Sequence, residues 1–127
     1  MIKVQEIKVQ AVEYVDFEDG TTHTARVSFI NPKGAPIDYE GLFYLADPGD
    51  LTTPVNVPEP KTFSVAAGAS KNVDFSVQMP LIAVAQKNLV ACVQVSVGGA
   101  PITTFFGGKI VRLTFTPAID WGDITWI

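Results

Sequence analysis

The chain has 127 residues, 47% of them hydrophobic and 17% charged, with a formal net charge of −4. This length and composition predict one globular domain whose core needs neither disulfides nor metal. The basic residues are scattered and form no cluster, which argues against partners such as nucleic acid or anionic lipid. No apolar stretch approaches the roughly 18 residues of a membrane helix, and the lone Cys92 excludes an internal disulfide.

The N-terminal residues carry no visible secretory signal. Met1 is followed directly by the strand-like IKVQEIKVQ, and not by a basic and then apolar leader. We therefore expect the protein to be intracellular, to leave the cell by another route, or to begin after a removed leader.

The first predicted element is a long strand over residues 2–15 with a break in its alternation. Its two halves have opposite parity, with Ile2 and Val4 in one set and Ile7, Val9 and Ala11 in the other. The repeated IKVQ places the slip at Gln5–Glu6, so we expect a bulge where the strand switches sheets. Residues 16–22, DFEDGTT, are predicted to form a turn.

Two strands and a crossover follow. The second strand, residues 23–31, directs Ala25, Val27 and Phe29 inward and ends at Asn31 before Pro32. The third strand, residues 37–46, is apolar on both faces. Residues 47–60 are rich in proline, which predicts a long irregular crossover with a short edge strand near Pro54–Val57.

The clearest strand signal lies in residues 61–80, KTFSVAAGASKNVDFSVQMP. It predicts strands over residues 62–66 and 71–79 around a turn at Gly68. The second of these strands alternates strictly, which predicts one face on the core and one in water. The inward set is Val73, Phe75, Val77 and Met79.

The last strands are predicted over residues 88–97 and 109–116, and the final one directs Val111, Leu113 and Phe115 inward. Residues 98–108 between them read as a Gly-rich loop with Phe105 and Phe106 at its tip. We expect this loop to fold over an open end of the sandwich and bury both rings. The alternative is that one ring is exposed and contacts a partner.

These elements predict an all-β, immunoglobulin-like β-sandwich of about seven antiparallel strands, as a single domain over residues 1–127. A closed barrel is the alternative, which the Pro-rich crossover disfavours. The predicted core comprises Val27, Phe29, Phe43, Val73, Phe75, Val93, Val95 and Leu113.

Two segments carry a resemblance to a known family over roughly residues 20–100. One is the strand end with Val27, Phe29, Asn31 and Gly34, and the other is the hairpin with Val65, Ala67, Gly68, Ser70, Val73 and Phe75. Together they resemble the CARDB type of immunoglobulin-like domain, found in bacterial and archaeal cell-surface proteins. The Pro-rich crossover and the Trp-containing tail depart from that family, and the acidic, Asn-rich closing segment is missing. The resemblance implies an adhesive role, with no common ligand and no catalytic residues.

Few residues offer catalytic or metal-binding chemistry. His23 with Cys92 is the available nucleophilic pair, but we expect a solvated imidazole and a covered strand cysteine. Carboxylates gather at Asp16, Glu18 and Asp19 and again at Asp47 and Asp50, yet neither loop matches a calcium motif. We therefore predict no catalytic residue, no metal and no cofactor.

The C-terminal tail, residues 118–127, contains both tryptophans, Trp121 and Trp126. Exposing them forfeits burial energy, so we expect the tail to pack. It covers its own domain as an extra strand or cap, or it pairs with a neighbouring copy.

The sequence thus predicts a non-enzymatic structural or adhesive module of a cell-surface, filament or virion assembly. Its expected partners are other protein subunits, including copies of itself, and an extracellular or virion location is favoured. The candidate partner contacts are Phe105, Phe106, Trp121 and Trp126. The alternative is a glycan- or peptide-binding module that uses aromatics such as Tyr39, Tyr44 and Trp121.

Overall fold

The computed structural model describes residues 13–115, 125 and 126, and within them the chain forms eight β-strands. The predicted strand over residues 2–15 lies largely outside this range. Among the residues described there is no helix that is long and apolar enough to cross a membrane. In chain order the strands are β1 Tyr14–Glu18, β2 Thr22–Ile30, β3 Ile37–Asp47, β4 Asp50–Pro54, β5 Glu59–Val65, β6 Ser70–Gln78, β7 Gln86–Val97 and β8 Ala100–Thr114.

The strands form a larger and a smaller sheet. The larger has the order β1-β8-β7-β3, and both β4 and β5 pair with β3. The smaller contains β2 and β6, which pair over the full length of β2. The predicted all-β sandwich is confirmed. The structure has eight strands where about seven antiparallel strands are predicted, and β1 runs parallel to β8 whereas every other pair is antiparallel.

The core lies between the inner faces of the two sheets. Phe75 of β6 is fully buried, and its ring centroid is 5.4 Å from that of Phe43 on β3. The alternation in β6 is confirmed, since its predicted inward residues and the following Met79 are all buried. All eight predicted core residues join this cluster, with Val27 partly buried and the other seven buried.

The predicted turn over residues 16–22 is wrong in extent. Strand β1 continues to Glu18, and the turn is confined to the residues around Gly20, whose φ of 72° suits glycine. The acidic sequence forms a strand because β8 supplies a partner. Arg112 donates two hydrogen bonds to the Asp16 carboxylate, and this interaction holds the pKa of Asp16 below its usual value.

The predicted Gly-rich loop over residues 98–108 is also wrong. Gly98 and Gly99, with φ of 59° and 80°, form a tight two-residue turn, and β8 begins at once with Ala100. Gly107 lies in a bulge opposite Ala91, where a Cβ atom would come within 3.3 Å of the Ala91 Cβ. Glycine here allows a close strand approach and does not mark a loop.

The expected irregular crossover over residues 47–60 contains strand β4 and the first residues of β5. Strand β4 is stabilised at its start by Asp50, which accepts hydrogen bonds from the hydroxyls of Thr52 and Thr53. The predicted edge strand near Pro54–Val57 therefore lies a few residues too late.

Asn31, at the end of β2, is fully buried and organises the connection to β3. Its side-chain amide donates to the carbonyl oxygens of Ala35 at 2.8 Å and Val65 at 3.0 Å. Its side-chain oxygen accepts from the Lys33 N–H at 3.0 Å. One side chain thus holds both the turn after β2 and the end of β5.

Candidate functional site

An apolar groove of about 510 Å³ opens between β2 and the edge of the larger sheet formed by β1 and β8. The floor is the inner face of the sandwich, with side chains that also belong to the core. In the described part of the chain, β2 pairs with β6 alone, so its second edge has no strand partner. The lining includes Val15, Ala25, Val27, Phe43, Val93 and Val111.

The lower end of the groove, where Glu18 pairs with Thr114, is closed by an aromatic stack. His23 of β2 lies against Phe17 of β1, with ring centroids 3.8 Å apart and planes 20° from parallel. The Thr21 hydroxyl lies 2.8 Å from His23 Nε2 and fixes the imidazole.

The upper part of the groove is bordered by two adjacent phenylalanines of β8. Phe105 pairs with Val93, whose side chain is in the core, so Phe105 shares the inner face. Phe106 pairs with Cys92 and shares the opposite face. Their side chains are 52% and 54% exposed, so the expectation that both are buried is wrong.

A second apolar surface lies at the lower end of the sandwich. Leu81 and Val84, in the connection before β7, are exposed, as is Phe115 just after β8. The connection before β7 meets the end of β8 and the turn after β1 at this end of the sandwich. The Phe115 N–H donates to the Ala85 carbonyl, and the Gly20 N–H donates to the Pro80 carbonyl. We call Leu81, Val84 and Phe115 the lower apolar patch.

The sequence analysis did not identify this patch, since Leu81 and Val84 lie between the strands predicted over residues 71–79 and 88–97. The signal was the apolar composition of PLIAVA between two strands that were already complete. Phe115 was predicted to point inward, but it lies beyond the last ladder residue, Thr114, and is 42% exposed.

In the sequence, the tail follows closely after Phe115 of the lower apolar patch. Trp126, one of the predicted partner contacts, exposes 92% of its surface. Trp121 lies outside the described residues.

The candidate catalytic pair is not brought together. His23, on β2 of the smaller sheet, lies at the lower end of the groove and faces the inner side of the larger sheet. Cys92 is fully buried on the outer face, where it packs with Tyr44 and Ala46. Burial raises the pKa of the Cys92 thiol, which disfavours the nucleophilic thiolate.

Four of the five grouped carboxylates interact with other groups of the protein, and the fifth, Glu18, is exposed. Besides Asp16 with Arg112, the Asp19 carboxylate is buried and accepts from the Ile82 N–H at 3.2 Å. Asp47 lies 3.3 Å from the Lys87 ammonium. Among residues 13–115, 125 and 126, no three acidic, His or Cys side chains form a group that could hold a metal ion.

The tyrosines named for glycan binding differ in burial. Tyr44 is buried, and its hydroxyl donates to the Leu51 carbonyl at 2.8 Å, so its ring offers no platform. Tyr39 is partly buried, with its ring centroid 5.9 Å from that of Phe63.

Comparison with models of protein families and with curated proteins gave no match to this chain. The resemblance to CARDB-type domains therefore stays a prediction.

Proposed function

We propose that this protein is a non-enzymatic structural or adhesive module that joins a larger assembly of protein subunits, on a cell surface, in a filament or in a virion. The observation that carries this proposal is the lower apolar patch, and the 92% exposed Trp126 of the tail supports it. Clustered apolar side chains on a small soluble domain mark contact sites. Tryptophan is enriched at the energetic centres of protein interfaces.

The patch is the part of this surface that can be tested by a single substitution. Leu81→Asp places a charge on a side chain that is 82% exposed, so the fold should tolerate it. Ser76→Asp introduces the same charge on the exposed face of β6 and serves as the matched control.

Sedimentation velocity across a range of concentrations provides the measurement. The intact chain and Ser76→Asp should sediment as the same oligomer, whereas Leu81→Asp should sediment as a folded monomer. An oligomer that survives Leu81→Asp unchanged would show that the lower apolar patch is not the contact.

Peptide binding is a second candidate function, and the groove between β2 and β8 is the observation that favours it. Its apolar lining and the unpaired edge of β2 among the described strands suit an extended peptide, which adds as a strand.

A further inference from the structure

The groove exposes side chains of the inner sheet faces, which a sandwich normally buries. Phe105 projects from the same face as the core residue Val93, yet half of its surface is open. Val27 and Ala25 line the opposite wall and are only partly buried. An apolar opening of this kind in the middle of a core favours a further strand as its occupant.

The edge of β8 beside the groove is covered only over its last third. Strand β1 pairs with β8 from Tyr14–Ile110 to Glu18–Thr114. The ladder extends one residue further, since the Ile110 N–H donates to the Glu13 carbonyl at 3.0 Å. The rest of β8, from Ala100 to Lys109, lies along the upper part of the groove. No described strand pairs with this stretch on the groove side.

The sequence before Glu13 has the pattern that this edge requires. Val15 and Phe17 of β1 pack against the core, so odd-numbered residues face inward in this strand. The same parity carries back to Ile7, Val9 and Ala11, whereas Lys8 and Gln10 have the opposite parity. At about 3.3 Å per residue, residues 5–12 would span about 26 Å, close to the length of the uncovered part of β8.

We propose that residues 7–11 of this same chain continue β1 along the free edge of β8 and insert Ile7, Val9 and Ala11 into the groove. The segment is the resident occupant of a strand-binding site whose walls are Phe105 on one side and Val27 on the other. This inference does not rest on the proposed assembly, which uses the opposite end of the sandwich.

The segment of the same molecule is favoured over that of a second copy by its attachment. The Glu13 carbonyl accepts a hydrogen bond from β8, so the first described residue lies at the edge of β8 beside the groove, and the segment is tethered there through residue 12. Short tethers of this kind give effective concentrations in the millimolar range. A second copy would instead have to overcome the entropy of association.

Nuclear magnetic resonance of the intact chain tests the proposal without any substitution. The Val9 methyl groups should show Overhauser contacts with the Phe105 ring, and none should arise between differently labelled molecules in a mixed sample. Missing contacts would overturn the proposal, as would contacts seen only between molecules.

Two matched variants of the full chain provide a second test. Val9→Asp and Gln10→Asp add the same charge one residue apart, but only the first faces the groove. Val9→Asp should lower the melting temperature by about 5–10 °C and increase the fluorescence of a dye that binds exposed apolar surface. It should also bind a labelled peptide of residues 2–12, which the intact chain and Gln10→Asp should not.

Three outcomes of this comparison would count against the proposal. Equal behaviour of the two variants would mean that Val9 does not face the groove. Tight binding of the peptide by the intact chain would mean that the site is vacant and takes strands from outside. Dissociation of an oligomer by Val9→Asp, with the fold retained, would assign the groove to a neighbouring copy.

Discussion

His23 of β2 and Phe17 of β1 stack face to face with centroids 3.8 Å apart, and this contact joins the smaller sheet to the larger one. It marks the lower limit of the groove, because above it no described strand links β2 to β8. The Thr21 hydroxyl at His23 Nε2 holds the imidazole in the stacked orientation. The only histidine of the chain therefore has a structural position that accounts for it.

If the stack couples the sheets, the effects of Phe17→Ala and His23→Ala on the free energy of unfolding should not add. We expect a coupling of about 0.5–1.5 kcal/mol, the range found for aromatic pairs. Urea unfolding of the two single variants and the double variant measures it. Thr24→Ala, exposed next to His23, is the control and should be additive with Phe17→Ala. Additivity of Phe17→Ala and His23→Ala would refute the coupling.

The central role of Phe75 in the core predicts a large loss of stability on truncation. Phe75→Ala removes a fully buried ring that packs beside Phe43, and should cost about 3–5 kcal/mol in the free energy of unfolding. Ser76→Ala, on the exposed face of the same strand, should change it by less than about 0.5 kcal/mol. A loss below about 1 kcal/mol for Phe75→Ala would place this ring outside the core.

Asn31 should be nearly as sensitive, for a different reason. Asn31→Ala leaves the Val65 carbonyl and the Lys33 N–H without their side-chain partner, and should cost about 2–3 kcal/mol. Asn72→Ala, on the exposed face of β6, supplies the comparison and should have little effect. Chemical denaturation of both variants decides the matter, and equal stabilities would mean that the Asn31 bonds contribute nothing net.

The regular strands could be read from local alternation, as in β6, because one face of a half-buried strand must be apolar and the other polar. The errors arose where a residue's partner is distant in sequence. Asp16 continues a strand because Arg112, 96 positions away, pairs with it. Gly107 is predicted to lie in a loop, but it lies in β8, where its lack of a side chain allows close approach to Ala91 of the neighbouring strand.

The candidate site was only partly predictable for the same reason. Phe105 and Phe106 were identified as candidate contacts from their adjacency alone. The groove depends on which strands pair, since it exists where β1 stops covering β8 and where the edge of β2 that faces away from β6 has no described strand partner. The lower apolar patch depends on which strand ends meet there. The apolar sequence PLIAVA indicates Leu81 and Val84, but not that Phe115 lies beside them.

Calcium should have little effect on this protein. Most of the carboxylates in the two acidic segments are engaged, Asp16 with Arg112, Asp47 with Lys87 and Asp50 with two threonines. Melting curves in millimolar calcium and in chelator should therefore coincide within about 1–2 °C, since binding to the native state alone would raise the midpoint. A rise of many degrees that is lost on replacing Asp16 and Asp19, or Asp47 and Asp50, would reveal a site.

The assembly proposed for this module is tested most directly by sedimentation of the intact chain beside a variant that ends at Phe115. We predict that the intact chain forms an oligomer and that the shortened chain is a monomer with an unchanged melting temperature. This outcome would place the tryptophan-bearing tail at a subunit contact. An intact chain that stays monomeric at every concentration, with a tail whose removal lowers only the melting temperature, would contradict the account.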